Sequence, residues 1–121
     1  MFPILSKEIY AVKKIISAAE AGKLIGNDVS IMIGGFLKCG SPTKVIEEML
    51  KNGTSGLTLI ANDTSYPDSD RGKLVVNRRV KKAIVAHIGT NPETGKQMHD
   101  GEIEVVLTPM GTLVEKIRAA G

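Results

Sequence analysis

The stretch that most limits what this chain can fold into runs Ile31-Met32-Ile33-Gly34-Gly35-Phe36-Leu37-Lys38-Cys39-Gly40-Ser41-Pro42. An apolar run stops on two glycines. A short loop follows, closed by a third glycine, and Ser-Pro then opens a helical pattern. This is the signature of a strand, a tight turn and a helix N-terminus, a junction at which free backbone N–H groups can hold an anion. It is not a dinucleotide fingerprint, because G-x-G-x-x-G is absent. Gly35 and Gly40 have the spacing of a P-loop, but Ser41-Pro42 stands where Lys followed by Ser or Thr is required. Without the phosphate-pairing lysine an ATPase reading is rejected. The plainer alternative is that Gly34 and Gly35 only permit a tight turn.

The remaining pattern builds an α/β chain around that junction. Residues 1–12 show no clear period, and residues 1–15 are expected to form a loose arm ahead of one α/β domain over residues 16–121. Ser17-Ala18-Ala19-Glu20 is a capping box that predicts a helix to Ile25, ended by Gly26-Asn27-Asp28. Val29 to Ile33 is a short apolar strand. Val45, Ile46, Met49 and Leu50 recur at helical spacing, so a helix is expected from Pro42 to Lys51, with Asn52-Gly53 as its stop. Leu57 to Ala61 is a second strand, with Asn62-Asp63 at its carboxyl end. Thr64 to Gly72 reads as loop, Lys73 to Asn77 as one helical turn, and Ala83 to Ile88 as a third strand closed by Gly89. Thr90 to Lys96 reads as a second loop, Glu104 to Thr108 as a fourth strand. Thr112-Leu113-Val114-Glu115 reads as a second capping box, opening a helix to about Ala120. Several strands are continuous apolar runs alternating with helices or long crossovers. That predicts an open, largely parallel sheet with flanking helices, in Rossmann-like layers. With no strand after the last helix, one sheet face is expected to be partly uncovered, as in a truncated domain.

Composition narrows function by exclusion. The 121 residues suit one domain. No apolar run approaches the roughly 20 residues of a membrane span, and Lys7-Glu8 interrupts the start before a signal-peptide core can form. Cys39 is the single cysteine, so a cytoplasmic chain is expected. Cys39 is expected to be small and buried, His87 packed inside a strand, and His99 exposed. Neither histidine has the spacing of a metal site. Six basic residues (Arg71, Lys73, Arg78, Arg79, Lys81, Lys82) fall between Arg71 and Lys82 with no acid among them. A solvated basic face is the favoured reading, ahead of a site for a phosphate-bearing small molecule. Nucleic acid is disfavoured, because the chain has only four Phe and Tyr and no Trp for base stacking. No Ser-His-Asp set or paired acid can be assigned, so no nucleophile is identified in this chain. In open α/β sheets ligands bind beyond the carboxyl ends of the strands. Four groups are expected there: the loop from Gly34 to Gly40, Asn62-Asp63, Gly89, and Pro109-Met110-Gly111.

Taken together, several of these segments resemble one family. They are Ile33-Gly34-Gly35-Phe36 with Cys39-Gly40 and Pro42; Leu57-Thr58 leading to Asn62-Asp63; Val80-Lys81-Lys82 before Ile88-Gly89; Gly101-Glu102-Ile103-Glu104-Val105; and Pro109-Met110-Gly111-Thr112-Leu113 through Gly121. The order and spacing resemble the A (alpha) subunit of family I CoA-transferases, of the acetate/butyrate–acetoacetate and succinyl–3-oxoacid type, from about Ile16 onward. The resemblance implies an open α/β fold and a ping-pong exchange of CoA between an acyl-CoA and a short-chain or 3-oxo carboxylate. It implies a nucleophilic glutamate on a B (beta) subunit, which forms an acyl–glutamyl anhydride and then a glutamyl-CoA thioester. CoA and acyl-CoA are then substrates, with no tightly bound cofactor and no metal. Gly34, Gly35, Phe36, Gly40, Asn62, Met110 and Gly111 would frame the acid substrate and the oxyanion. Two departures from the family pattern stand out. Met110 replaces the glutamine of Pro-Gln-Gly-Thr, and family alpha subunits continue past Gly121 into a second half. A non-catalytic CoA- or partner-binding fragment is the competing expectation.

Overall fold

The computed structural model describes residues 14–121. The expected arm over residues 1–15 therefore lies almost wholly outside the described residues. Four strands form one sheet in the order β1-β2-β3-β4, and every neighbouring pair is parallel. In chain order the elements are α1 (Ala18–Leu24), β1 (Ser30–Met32), α2 (Thr43–Lys51), β2 (Leu57–Asp63), α3 (Asp70–Val76), β3 (Val80–His87), α4 (Pro92–His99), β4 (Glu104–Leu107) and α5 (Met110–Ala120). The open parallel α/β sheet is thus the one the apolar runs predict.

Sequential neighbours joined by right-handed crossovers place their helices on one face. Consistent with this, α1 packs on α2, α2 on α3, and α3 on α4. The core lies between that layer and the sheet. Leu57, Leu59 and Ala61 from β2 and Ala83 and Val85 from β3 meet Ile46 and Met49 of α2 and Leu74 and Val75 of α3. Along β2 buried and half-buried residues alternate without a break, so the sheet has a dry face and a less covered one. The second face carries Met32, Ile60, Ile84 and Val106, and among the described residues only α5 lies over it, with Leu113 as its one buried residue.

Local chemistry explains the helix ends. The Ser17 capping box forms as expected: Glu20 N–H donates to Ser17 Oγ at 3.1 Å, and Ser17 N–H to Glu20 Oε2 at 2.8 Å. Gly22 lets α1 approach α2, since a Cβ there would sit 2.7 Å from Cβ of Glu48. Three helices end in the same pair of backward bonds from the two residues after the cap. At the end of α2 these run from Gly53 to Leu50 and from Thr54 to Met49; for α3 from Arg78 to Val75 and Arg79 to Leu74; for α4 from Gly101 to Met98 and Glu102 to Gln97. The left-handed position is glycine in two cases and Arg78, at φ +56°, in the third.

Several expectations need correction. Residues 92–99 form a helix rather than a loop, with Pro92 at its first turn. The helix lacks an apolar stripe because it anchors through polar groups: buried Gln97 donates Nε2 to Val75 O at 2.8 Å, and buried Thr94 donates to Thr64 Oγ1 at 2.9 Å. The helix expected after the Thr64 to Gly72 loop begins at Asp70 rather than Lys73. The capping box expected at Thr112 does not form. α5 starts at Met110 after Pro109 without a side-chain cap, and Glu115 instead accepts from Arg118 at 2.8 Å. Cys39 is exposed rather than buried. His87 is exposed too, because it is the last residue of β3 and clears the packed layer. His99 is exposed, as expected.

Candidate active site

The carboxyl ends of β1 and β2 open into a cleft of about 170 Å³ lined by Met32, Ile33, Gly34, Gly35, Ile60, Ala61, Asn62, Met110, Leu113 and Ile117. Four of the seven sequence candidates therefore meet in one place: Gly34, Gly35, Asn62 and Met110. The other three do not line it. Phe36 projects from the loop, 63% exposed. Gly40 lies behind Gly35, where a Cβ would stand 3.7 Å from Gly35 Cα. Gly111 is in the first turn of α5, exposed and facing open space. The cleft wall is almost entirely apolar, and Met110 extends that character where an amide would have supplied a donor.

The glycine loop is a closed hairpin. Phe36 N–H donates to Cys39 O at 2.9 Å, and Cys39 N–H returns to Phe36 O at 2.8 Å. Leu37 sits in the left-handed region at φ +52° and Gly35 at φ +122°. A Cβ on Gly35 would stand 2.8 Å from Arg71 Nη1 and 2.9 Å from both Cys39 O and Ser41 Oγ. Conformation and space both require glycine there.

Behind the loop lies the residue that sequence reasoning missed. Arg71, on α3, is fully buried. Its Nε donates to Asp63 O at 3.1 Å, Nη1 to Gly34 O at 3.2 Å and Ser41 Oγ at 2.6 Å, and Nη2 to Leu37 O at 3.3 Å and Asp63 Oδ1 at 2.8 Å. All five guanidinium N–H groups are used. Asp63 is fully buried as well. Its carboxylate also accepts from Leu37 N–H at 3.0 Å, Asn62 Nδ2 at 2.8 Å and Ser65 N–H at 2.7 Å. Burial alone would raise the Asp63 carboxyl. The donors from Leu37, Asn62, Arg71 and Ser65 outweigh it and hold the group below its ordinary value. Asn62 thus faces the cleft with one of its two amide N–H groups committed to Asp63.

The polar network extends to the third strand end. Ser65 Oγ donates to Leu37 O at 3.0 Å, Thr90 Oγ1 to Ser65 O at 3.0 Å, and Asn91 Nδ2 to Thr64 O at 3.2 Å. The loops after β1, β2 and β3 are therefore tied to one another rather than free. Gly89, also expected at this end, is exposed, and a Cβ there would lie 2.8 Å from the His87 ring.

The basic run dissolves in three dimensions. Arg71 is interior, which corrects the expectation of a solvated face for the whole run. At the opposite end of the sheet, Arg78 pairs with Glu102 at 3.0 Å, Lys82 with Glu104 at 3.1 Å and Lys81 with Asp28 at 3.9 Å. Among the described residues no cluster of three His, Cys, Asp or Glu could hold a metal ion, and no helix is long and apolar enough to cross a membrane.

These features define an open α/β protein with a candidate site at the carboxyl ends of parallel strands, where such sheets bind ligands. The chain belongs to the coenzyme A transferase family, whose model, described as Coenzyme A transferase, matches residues 15–121. It is 48% identical over 108 residues to the alpha subunit of the acetate CoA-transferase of Escherichia coli K12, covering 89% of this chain and 49% of that one. It is 49% identical over 108 residues to the alpha subunit of the acetoacetyl-CoA:acetate/butyrate CoA transferase of Clostridium acetobutylicum, covering 89% and 50%. Identity to the alpha subunit of a probable coenzyme A transferase of Bacillus subtilis 168 is 47% over 109 residues, covering 90% and 48%. The chain thus spans about half the length of these relatives. Among solved structures, the acyl-CoA transferase YdiF of Escherichia coli O157:H7 shares the fold with a TM-score of 0.73 at 22% identity, over 88% of this chain and 22% of that one. A cysteine-to-serine variant of the decarboxylase AibA/AibB shares it with a TM-score of 0.71 at 22% identity, over 87% and 42%. A transferase and a decarboxylase on one fold show that the fold alone does not choose the chemistry.

Proposed function

We propose that this chain supplies the alpha-subunit wall of a CoA-transferase active site, in an enzyme that moves CoA between an acyl-CoA and a short-chain or 3-oxo carboxylic acid of the acetate, butyrate and acetoacetate class. The observation that carries the reading is the meeting of Gly34, Gly35, Asn62 and Met110 in one apolar cleft, in a chain that matches alpha subunits over nine-tenths of its length. The nucleophilic glutamate would come from a partner B (beta) subunit, and the reaction would be ping-pong through a glutamyl-CoA thioester. Acyl-CoA and the acid are substrates, and the setting is cytoplasmic. In this role the cleft holds the acyl chain against Ile60, Leu113 and Ile117 while backbone N–H groups of the glycine loop face the reacting carbonyl.

The test is reconstitution. This chain, mixed with the beta subunit of a relative, is expected to transfer CoA from acetoacetyl-CoA to acetate. Met110→Gln is expected to raise kcat by up to about 10²-fold by restoring an amide donor. No transfer with either form would sink the catalytic reading. The second reading, a CoA- or partner-binding fragment without turnover, is favoured by Met110 itself. It predicts saturable CoA binding by calorimetry in a complex that shows no exchange.

A further inference from the structure

Among the described residues, three of the five non-glycine residues with positive φ, Leu37, Ser65 and Asp70, surround Arg71. Strained backbone persists only where its surroundings over-determine it. Here the fixing groups are identifiable. Leu37 O accepts from both Arg71 and Ser65, Leu37 N–H is held by Asp63, and Asp70 accepts from Thr43 Oγ1 at 2.7 Å.

The arginine acts on one side of the loop. The peptide between Gly34 and Gly35 is trans, so its C=O and N–H point in opposite directions. Arg71 takes the Gly34 carbonyl, and the Gly35 N–H is therefore turned away from Arg71; Gly35 itself lines the cleft and Arg71 does not. The β1–β2 ladder ends earlier, at Ile33 N–H to Ile60 O. Continued in that register, the ladder would add Asn62 N–H to Ile33 O and then Gly35 N–H to Asn62 O, and neither bond is made. Among the described residues Gly35 N–H has no acceptor.

We propose that Arg71 is a positioning residue of the cleft: by holding the Gly34 and Leu37 carbonyls and the Ser41 hydroxyl, it fixes the glycine loop so that the Gly35 N–H stands ready to donate to a substrate oxygen. The oxyanion role rests on the CoA-transferase reading; the fixing of the loop does not. Such a donor contributes most when its orientation is set before the substrate arrives, and a guanidinium with no spare N–H sets it without offering a competing donor to the cleft. Asp63 neutralises the arginine, so the loop is fixed without a net charge behind it.

Hydrogen exchange separates this from a general structural role. In Arg71→Leu the Phe36 and Cys39 amides are expected to lose protection by at least about 100-fold more than the amides of β2 and β3. Loop and sheet losing protection in step, or the loop keeping it, would overturn the proposal. Should Arg71→Leu fail to fold, Ser41→Ala, which removes a single acceptor, gives the same readout, with a smaller but still loop-confined loss expected. In the reconstituted complex, Arg71→Leu is expected to lower kcat by about 10²-fold with KM for acetate nearly unchanged. A rise in KM at constant kcat would count against the donor role. Absence of turnover in both the unsubstituted complex and its Met110→Gln form would refute the transferase reading, and the exchange experiment would still decide whether Arg71 fixes the loop.

Discussion

The two ends of the sheet use the same basic run in opposite ways. At the carboxyl end, Arg71 and Asp63 form a fully buried pair at 2.8 Å, wrapped by backbone carbonyls and N–H groups. At the amino end, seven residues along the chain, Arg78 meets Glu102 at 3.0 Å with its side chain 58% exposed. The first pair has no water to fall back on, so every donor and acceptor must be matched within the protein. The second is screened by solvent and holds only side chains in place, Arg78 against Glu102 and, at 3.9 Å, Glu93. One end is therefore built to be rigid, and it is the end where the loops after three strands are tied together beside the cleft.

The largest test of this contrast is Asp63→Ala. It strands the Arg71 charge in the interior and is expected to destabilise the fold by about 3–5 kcal/mol in urea unfolding. A loss below about 1 kcal/mol would mean that the two ends are not energetically different. Gly35→Ala comes next, at about 2–3 kcal/mol, from a left-handed backbone and a Cβ pressed against Arg71 and Cys39 O. The same unfolding measurement checks it, and Gly26→Ala, where a Cβ meets nothing within 4 Å, is the control. Acid is gentler, because it removes the charge of Asp63 while leaving its oxygens. The Asp63 carboxyl is lowered in the fold, so its contribution is complete above the unfolded value near 3.8 and is lost as pH falls through the lower folded value. Asp63→Asn is expected to flatten that part of the stability–pH curve, and an unchanged acid limb would contradict the assignment. The smallest effect is expected at the amino end. Arg78→Gly exchanges an exposed ion pair for relief of the left-handed position, leaving stability within about 1 kcal/mol of the parent.

The same contrast explains how far the sequence could be read. The four strands were legible because each is an apolar run bounded by turn residues, and the observed ends differ from the expected ones by up to three residues. α1 was legible from its capping box. α4 was not, because Pro92, Thr94 and Gly95 look like turn chemistry and its buried residues are Thr94 and Gln97 rather than a stripe of leucines. Gly72 had the same effect in α3. It suggested loop, but it is needed because a Cβ there would collide with the Tyr66 carbonyl. The glycine loop, Asn62 and Met110 could be placed together from strand ends alone. Arg71 could not. Its acceptors are Asp63, eight residues back, and three groups at least thirty away, Gly34, Leu37 and Ser41. Nothing in a run of basic residues tells which one folding will desolvate. A weak signal did exist: Asp63, an acid closing an apolar strand, needs a buried partner.

A guanidinium with five satisfied N–H groups and no exposed surface is also chemically silent. Dicarbonyl reagents that label arginine meet Arg78 and Arg118 at the surface and Arg79 half-buried, and reach Arg71 only in molecules that have opened. The residue that fixes the loop is thereby a natural clock for the opening of the carboxyl end, readable without adding any label to the protein beforehand.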